Sequence, residues 1–180
     1  MLKTIVKGCE PSKGSKYSAC IDLYAANDTV IGAGETVLVP LGVKIDISEE
    51  WLSSQGIGID DGVHDDGDAM DLFMKTHQLN LHIRSSMSAK HGFIIANGTG
   101  IIDLDYPDEI KICLHNPIDK NYIDDILAKN KNSKYYGQVV IQKGQPIAQI
   151  SLVEHKSYLF DVESKDERTG GFGSTDEHKS

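Results

Sequence analysis

The sequence predicts an all-β sandwich or barrel of the jelly-roll kind. Short segments alternate apolar and polar residues with period two, turn-forming Gly, Asn, Asp and Pro separate them, and no long amphipathic helix interrupts the series. The cleanest alternations are Val43-Lys-Ile45-Asp-Ile47, Leu79-Asn-Leu81-His-Ile83 and Ile110-Lys-Ile112-Cys-Leu114, each the pattern of a strand with one face on a core.

In chain order, the start Met1-Leu-Lys-Thr-Ile-Val-Lys7 is charged at both ends of a very short apolar run. It reads as a first strand rather than a signal peptide or a membrane anchor. Strands are expected at 36–39 and 43–47, then at 79–83, 93–95 and 110–114, and finally at 138–141 and 147–152. Two stretches break the series. Residues 53–78 hold Asp60, Asp61, Asp65, Asp66, Asp68 and Asp71 among glycines, followed by Met70, Leu72, Phe73 and Met74, which suit one short helical turn. Residues 119–136 place Ile123, Ile126 and Leu127 at i, i+3, i+4 spacing ahead of a basic polar run, which predicts a short helix. Both are read as insertions in loops between strands. The carboxylates around His64 invite a metal, but their spacing matches no calcium loop and a solvated loop is the default.

A chain of 180 residues suits one domain, 1–180, with a core of its own. The net charge of −9 argues against a DNA or RNA partner, whose phosphate backbone calls for a basic face. A free nucleotide remains compatible if a divalent cation and local donors offset the field. Cys9, Cys20 and Cys113 are odd in number and irregular in spacing, which fits a reducing cytoplasm.

Near the C-terminus the chain reads Arg168-Thr-Gly170-Gly171-Phe172-Gly173-Ser174-Thr175. Three glycines in four residues let backbone N–H groups turn inward without a Cβ in the way, and Arg168, Ser174 and Thr175 add donors for phosphate oxygens. Upstream, Asn97-Gly-Thr-Gly100-Ile-Ile102-Asp103-Leu-Asp105-Tyr106 holds a carboxylate beside an aromatic ring.

Five segments in order resemble those of the trimeric dUTP pyrophosphatase (dUTPase) family. They are Ala19-Cys-Ile-Asp22-Leu23-Tyr24-Ala25, Arg84-Ser85-Ser86-Met-Ser-Ala89-Lys90-His91-Gly92, residues 97–109, Gly144-Gln-Pro-Ile147-Ala148-Gln149, and the C-terminal loop. Together they span nearly the whole chain, with the two odd stretches between them. The resemblance implies a jelly-roll-like dUTPase barrel with two inserted loops and a mobile arm at about 164–180. The implied reaction is Mg²⁺-assisted hydrolysis of dUTP to dUMP and pyrophosphate, which limits uracil incorporation into DNA and supplies dUMP for dTMP synthesis.

The resemblance also assigns roles. Asp103 is the base that activates the water attacking the α-phosphorus. Tyr106 packs on the deoxyribose and leaves no room for a 2′-hydroxyl. Uracil is read mainly by main-chain groups of a hairpin in the third segment, at Gly100 and Ile102, with help from Asn97, and Phe172 covers the ring when the arm closes. Phosphates fall to Ser85, the backbone at Ser86, Gln149, Arg168, Gly173, Ser174 and Thr175. Arg84 is assigned either to the phosphates or to bracing the neighbouring site. Asp22 holds a water of the Mg²⁺. The implied assembly is a homotrimer with shared active sites, in the cytoplasm or, for a viral member, the host cytoplasm, with no direct nucleic-acid or membrane contact.

The pattern departs from the family in places. Ser86 replaces a common Gly and would be strained if that position needed positive φ. Pro146 replaces a common Arg, Pro107-Asp108 replaces Arg-Gly as a turn pair, and the last motif is one residue shorter. The insertions suggest a viral or phage lineage, or a protein partner at 53–78. Two other readings stand beside hydrolysis. One is a dCTP deaminase of the same fold, which needs a glutamate on the strand after the third segment. The other is a regulatory protein using the nucleotide pocket as a switch.

Overall fold

A computed structural model describes residues 1–56, 66–121 and 137–162, with backbone alone at 66–68. Eleven strands and three α-helices are found among these residues: β1 (Leu2–Thr4), β2 (Ile21–Tyr24), β3 (Thr29–Ile31), β4 (Thr36–Pro40), β5 (Val43–Ile45), α1 (Glu49–Ser54), α2 (Asp66–Thr76), β6 (His77–Ile83), α3 (Ser85–His91), β7 (Ile94–Ile95), β8 (Gly100–Asp103), β9 (Lys111–His115), β10 (Val139–Ile141) and β11 (Pro146–Glu154), followed by a 3-10 turn at Ser157–Leu159. The strands form a four-stranded sheet β2-β11-β6-β8, a three-stranded sheet β4-β9-β7, and the pairs β1-β5 and β3-β10. Every pairing is antiparallel, and the architecture is jelly-roll-like.

The period-two alternation translates directly into burial. On β9, Ile112 and Leu114 are fully buried, whereas Lys111, Cys113 and His115 are half-buried on the other face. The same core takes Leu79 and Leu81 from β6, Ile147 and Ile150 from β11, and Leu23 from β2. All three cysteines are free thiols, and Cys9 is buried.

Several elements differ from expectation. Residues 70–74, expected to make one helical turn, belong to the 11-residue α2. Phe73 of this helix is buried, meets Trp51 edge-on at 5.7 Å and stacks on His77 at 4.4 Å, so tertiary contacts extend a helix that local composition does not favour. α1 was not anticipated either. Ser48 caps it by accepting from the Trp51 N–H at 3.2 Å, and Glu49 and Glu50 occupy its first turn. The expected 43–47 strand ends at Ile45, and that at 93–95 shrinks to two residues. The helix expected near Ile123 lies outside the described residues, as do the carboxylates around His64 and the glycine-rich loop with Arg168, Phe172, Gly173, Ser174 and Thr175.

No described helix is long and apolar enough to cross a membrane. Among the described residues, no group of three or more His, Cys, Asp or Glu is placed to hold a metal.

Candidate active site

β7 and β8 are consecutive in the chain yet pair with different strands, β7 with β9 and β8 with β6. A turn between them is closed by the Gly98 N–H donating to the Ile95 carbonyl at 3.1 Å, with Gly98 at φ 75°, a backbone state that favours glycine. β8 ends its sheet, so among the described residues no strand pairs with its outer edge. An open strand edge offers backbone donors and acceptors to whatever lies against it.

A cavity of ≈ 280 Å³ lies at this seam, and its lining includes Asn97, Gly100, Ile102 and Tyr106. Four of the five residues expected to hold the nucleoside are thus brought together, and the fifth, Phe172, lies outside the described residues. Gly100 is needed for the close approach of β8 to β6, because a Cβ there would stand 3.1 Å from the Leu81 Cβ. Tyr106 is buried, and its N–H donates to the Asp103 carbonyl at 3.1 Å. A tight turn therefore spans 103–106, and the chain bends again at Asp108 of the Pro107-Asp108 pair. Lys111 and Cys113 also line the cavity, which the sequence alone does not announce. Their signal was the polar half of the β9 alternation.

Asp103 is exposed at the end of β8, opposite Gln78 of β6. It does not line this cavity. It opens instead into the neighbouring groove beneath α2, with Lys75, His77 and His155.

The expected phosphate set sits elsewhere on the same sheet. Asp22 of β2, Gln149 of β11 and His82 of β6 lie opposite one another in one row. Arg84 Nε is 3.2 Å from Asp22 Oδ1, and the Arg84 N–H donates to the Ile147 carbonyl at 3.0 Å. Gln149 Nε2 donates to the Ile83 carbonyl at 3.4 Å. Ser85 and Ser86 open α3, so residue 86 is right-handed helical and the positive-φ strain foreseen for serine does not arise. Pro146 begins β11 beside a register shift, a place where a missing N–H is tolerated.

The row through His82 is four residues along β6 from the Gln78–Asp103 pair. That is roughly 13 Å along the strand, and Asp22 lies a further three strand spacings, roughly 14 Å, across the sheet from β8. Within one chain, Asp103 and the Asp22–Arg84 pair are therefore separated by more than neighbouring phosphates of one nucleotide span.

An antiparallel jelly-roll-like barrel, with a cavity at a strand edge and a carboxylate ending that strand, places the chain in the all-β class. No protein-family model matches the sequence. The deoxyuridine 5′-triphosphate nucleotidohydrolase of Rickettsia felis is 30% identical over 174 residues, covering 93% of this chain and 88% of its own. The crystal structure of a dUTPase from Streptococcus mutans superposes with TM-score 0.59 at 23% identity, covering 89% of this chain and 98% of that one. The dUTPase of Staphylococcus bacteriophage 80alpha with dUPNHPP superposes with TM-score 0.61 at 20% identity, covering 97% and 96%. The chain belongs to the dUTPase family.

Proposed function

We propose that the protein hydrolyses dUTP to dUMP and pyrophosphate. The observation that carries this reading is the cavity against the edge of β8 that no described strand pairs, lined by Asn97, Gly100, Ile102 and Tyr106. Backbone groups in fixed register can match uracil's donors and acceptors and mismatch cytosine's exocyclic amine. Tyr106 is buried and lines the cavity; in this reading a deoxyribose packs against its ring and a 2′-hydroxyl is excluded.

In this reading Asp103 takes the proton of a water that attacks the α-phosphorus. The bond from that phosphorus to the bridging oxygen breaks, and pyrophosphate leaves with the electron pair. Arg84, Ser85, Ser86 and Gln149 hold phosphate oxygens, and Arg168, Gly173, Ser174 and Thr175 complete the shell as Phe172 covers the base. The strand register supports sites shared between chains, because the separation of Asp103 from the Asp22–Arg84 pair is bridged when different chains supply the two; the assembly in this reading is a homotrimer.

The donor set suits Mg²⁺ held chiefly by substrate and water. A half-buried carboxylate, Asp22, offers oxygen ligands without a soft donor, and Mg²⁺ keeps several waters. The ion would neutralise the polyphosphate when bound, and the triphosphate would draw Arg84 from Asp22, freeing that carboxylate for the ion's water.

Residues 1–180 form one domain in this proposal, with the arm at about 164–180 closing the site and the 53–78 insertion available to a protein partner. The setting is cytoplasmic, where the reaction limits uracil in DNA and supplies dUMP for dTMP synthesis. The deaminase reading is disfavoured by β9, Lys-Ile-Cys-Leu-His, which carries no glutamate. Nearby Glu109 is engaged through Oε1 by the Gly42 N–H at 2.7 Å.

The test is an assay of the common deoxynucleoside triphosphates with Mg²⁺, measuring pyrophosphate and ammonia. Pyrophosphate from dUTP alone is the expected result. Ammonia from dCTP, or no turnover of any nucleotide, contradicts it.

A further inference from the structure

We propose that Glu109 is a positioning residue that holds the Tyr106 turn in place and so sets the preference for a deoxyribose over a ribose. This rests on the nucleotide-hydrolase reading above and adds a residue to its specificity. β8 belongs to the four-stranded sheet and β9 to the three-stranded one, so residues 104–110 cross from one sheet to the other. Leu104, Tyr106 and Ile110 are buried along this crossover. At one end the Tyr106 N–H donates to the Asp103 carbonyl at 3.1 Å. At the other, half-buried Glu109 reaches the turn between β4 and β5, where its Oε1 accepts from the Gly42 N–H at 2.7 Å. A carboxylate that accepts from a backbone N–H makes a charge-assisted bond, about twice as strong as a neutral one.

The far side of that bond is fixed. Gly42 has φ 67°, and a Cβ there would stand 2.7 Å from the Cβ of buried Cys9, so its turn is closely packed. Its carbonyl in turn accepts from the Ile5 N–H at 2.8 Å. Only Pro107 and Asp108 separate Tyr106 from Glu109, and the proline ring locks one of the intervening dihedrals. The tyrosine is therefore held between a backbone bond on one side and a short, stiffened tether on the other. Glu109 does not line the cavity, so it acts through Tyr106. An apolar wall rejects an added hydroxyl by only about 10²-fold, and that margin shrinks if the wall can retreat.

The experiment measures kcat and KM for dUTP and UTP, together with calorimetric affinities for dUMP and UMP, in the full chain and in Glu109→Ala, Glu109→Asp and Glu109→Gln. The ratio of kcat/KM for dUTP to that for UTP is internal to each variant, so a smaller folded fraction leaves it unmoved. Loss of the tether in the alanine variant predicts about a tenfold fall in that ratio, carried mainly by KM, with kcat for dUTP within a few-fold of the unmodified chain. The preference for dUMP over UMP should fall in parallel. The aspartate variant is one methylene short of Gly42 and should behave like alanine, which keeps the test open if the alanine variant misfolds. Glutamine keeps a carbonyl acceptor at the same reach and should retain most of the preference. An unchanged dUTP-to-UTP ratio in the folded alanine or aspartate variant overturns the proposal. So does a glutamine variant as relaxed as the alanine one. Both results are read while dUTP is still hydrolysed, whereas failure of the unmodified chain to hydrolyse dUTP would strike the function itself, so the two failures are separable.

Discussion

The two ends of the candidate site are built differently. The proposed nucleoside end is a cavity between two sheets, walled by β8 and β9, with a glycine where the backbone must come close and a buried tyrosine at its side. The proposed phosphate end is a set of half-buried polar side chains already engaged, Arg84 with Asp22 and Gln149 with the Ile83 main-chain carbonyl. In the proposed reaction the first is shaped before a ligand arrives, whereas the second exchanges partners when one does. That division suits an enzyme that selects its base by fit and spends the rearrangement on the reacting phosphates.

The comparison can be broken most decisively at the point where its halves meet. Asp103→Asn should lower kcat by about 10²–10⁴-fold, the range of a lost general base, while dUTP binding by calorimetry stays within a few-fold. Persisting turnover would remove Asp103 from the chemistry. Truncation after Ser164 should cost about 10²-fold in kcat, as loss of several phosphate donors does, because Arg168, Ser174 and Thr175 go with it. Mixing the truncated chain with Asp103→Asn chains under conditions that exchange subunits should restore part of the activity. No recovery would argue that each chain holds a complete site.

At the phosphate end, Asp22→Asn should raise the Mg²⁺ concentration for half-maximal rate by about 10–100-fold, the usual effect of losing a group that orients a metal's water. An unchanged Mg²⁺ titration would leave the Arg84 contact as the only role of Asp22. The smallest effect is expected at the cavity's foundation. Gly100→Ala sets a methyl 3.1 Å from the Leu81 Cβ and should lower stability by about 1–3 kcal/mol, read from denaturant unfolding. A neutral result would show that β8 shifts freely on β6.

Much of this was legible in the chain because strand alternation and the spacing from Asn97 to Tyr106 are local signals. The 79–83 and 110–114 patterns became β6 and β9 within a residue or two. What the sequence hid was tertiary. α3 buries only Met87, too little apolar patterning to announce a helix; its end is marked by Gly92 at φ 71°, whose N–H donates to the Ser88 carbonyl. α2 gains its length from Trp51 and His77, which lie on other elements. Lys111 and Cys113 look like the solvent side of a strand until β8 is laid against them. The Asp22–Arg84 pair joins residues far apart in sequence, and no local pattern announces it.

A crystal structure with a non-hydrolysable dUTP analogue and Mg²⁺ tests the central claim most directly. The base should occupy the cavity of Asn97, Gly100, Ile102 and Tyr106, with the Asp103 carboxylate within one water of the innermost phosphorus and Arg84, Ser85 and Gln149 of a different subunit on the outer phosphates. A base seated elsewhere, or Asp103 remote from that phosphorus, would contradict it.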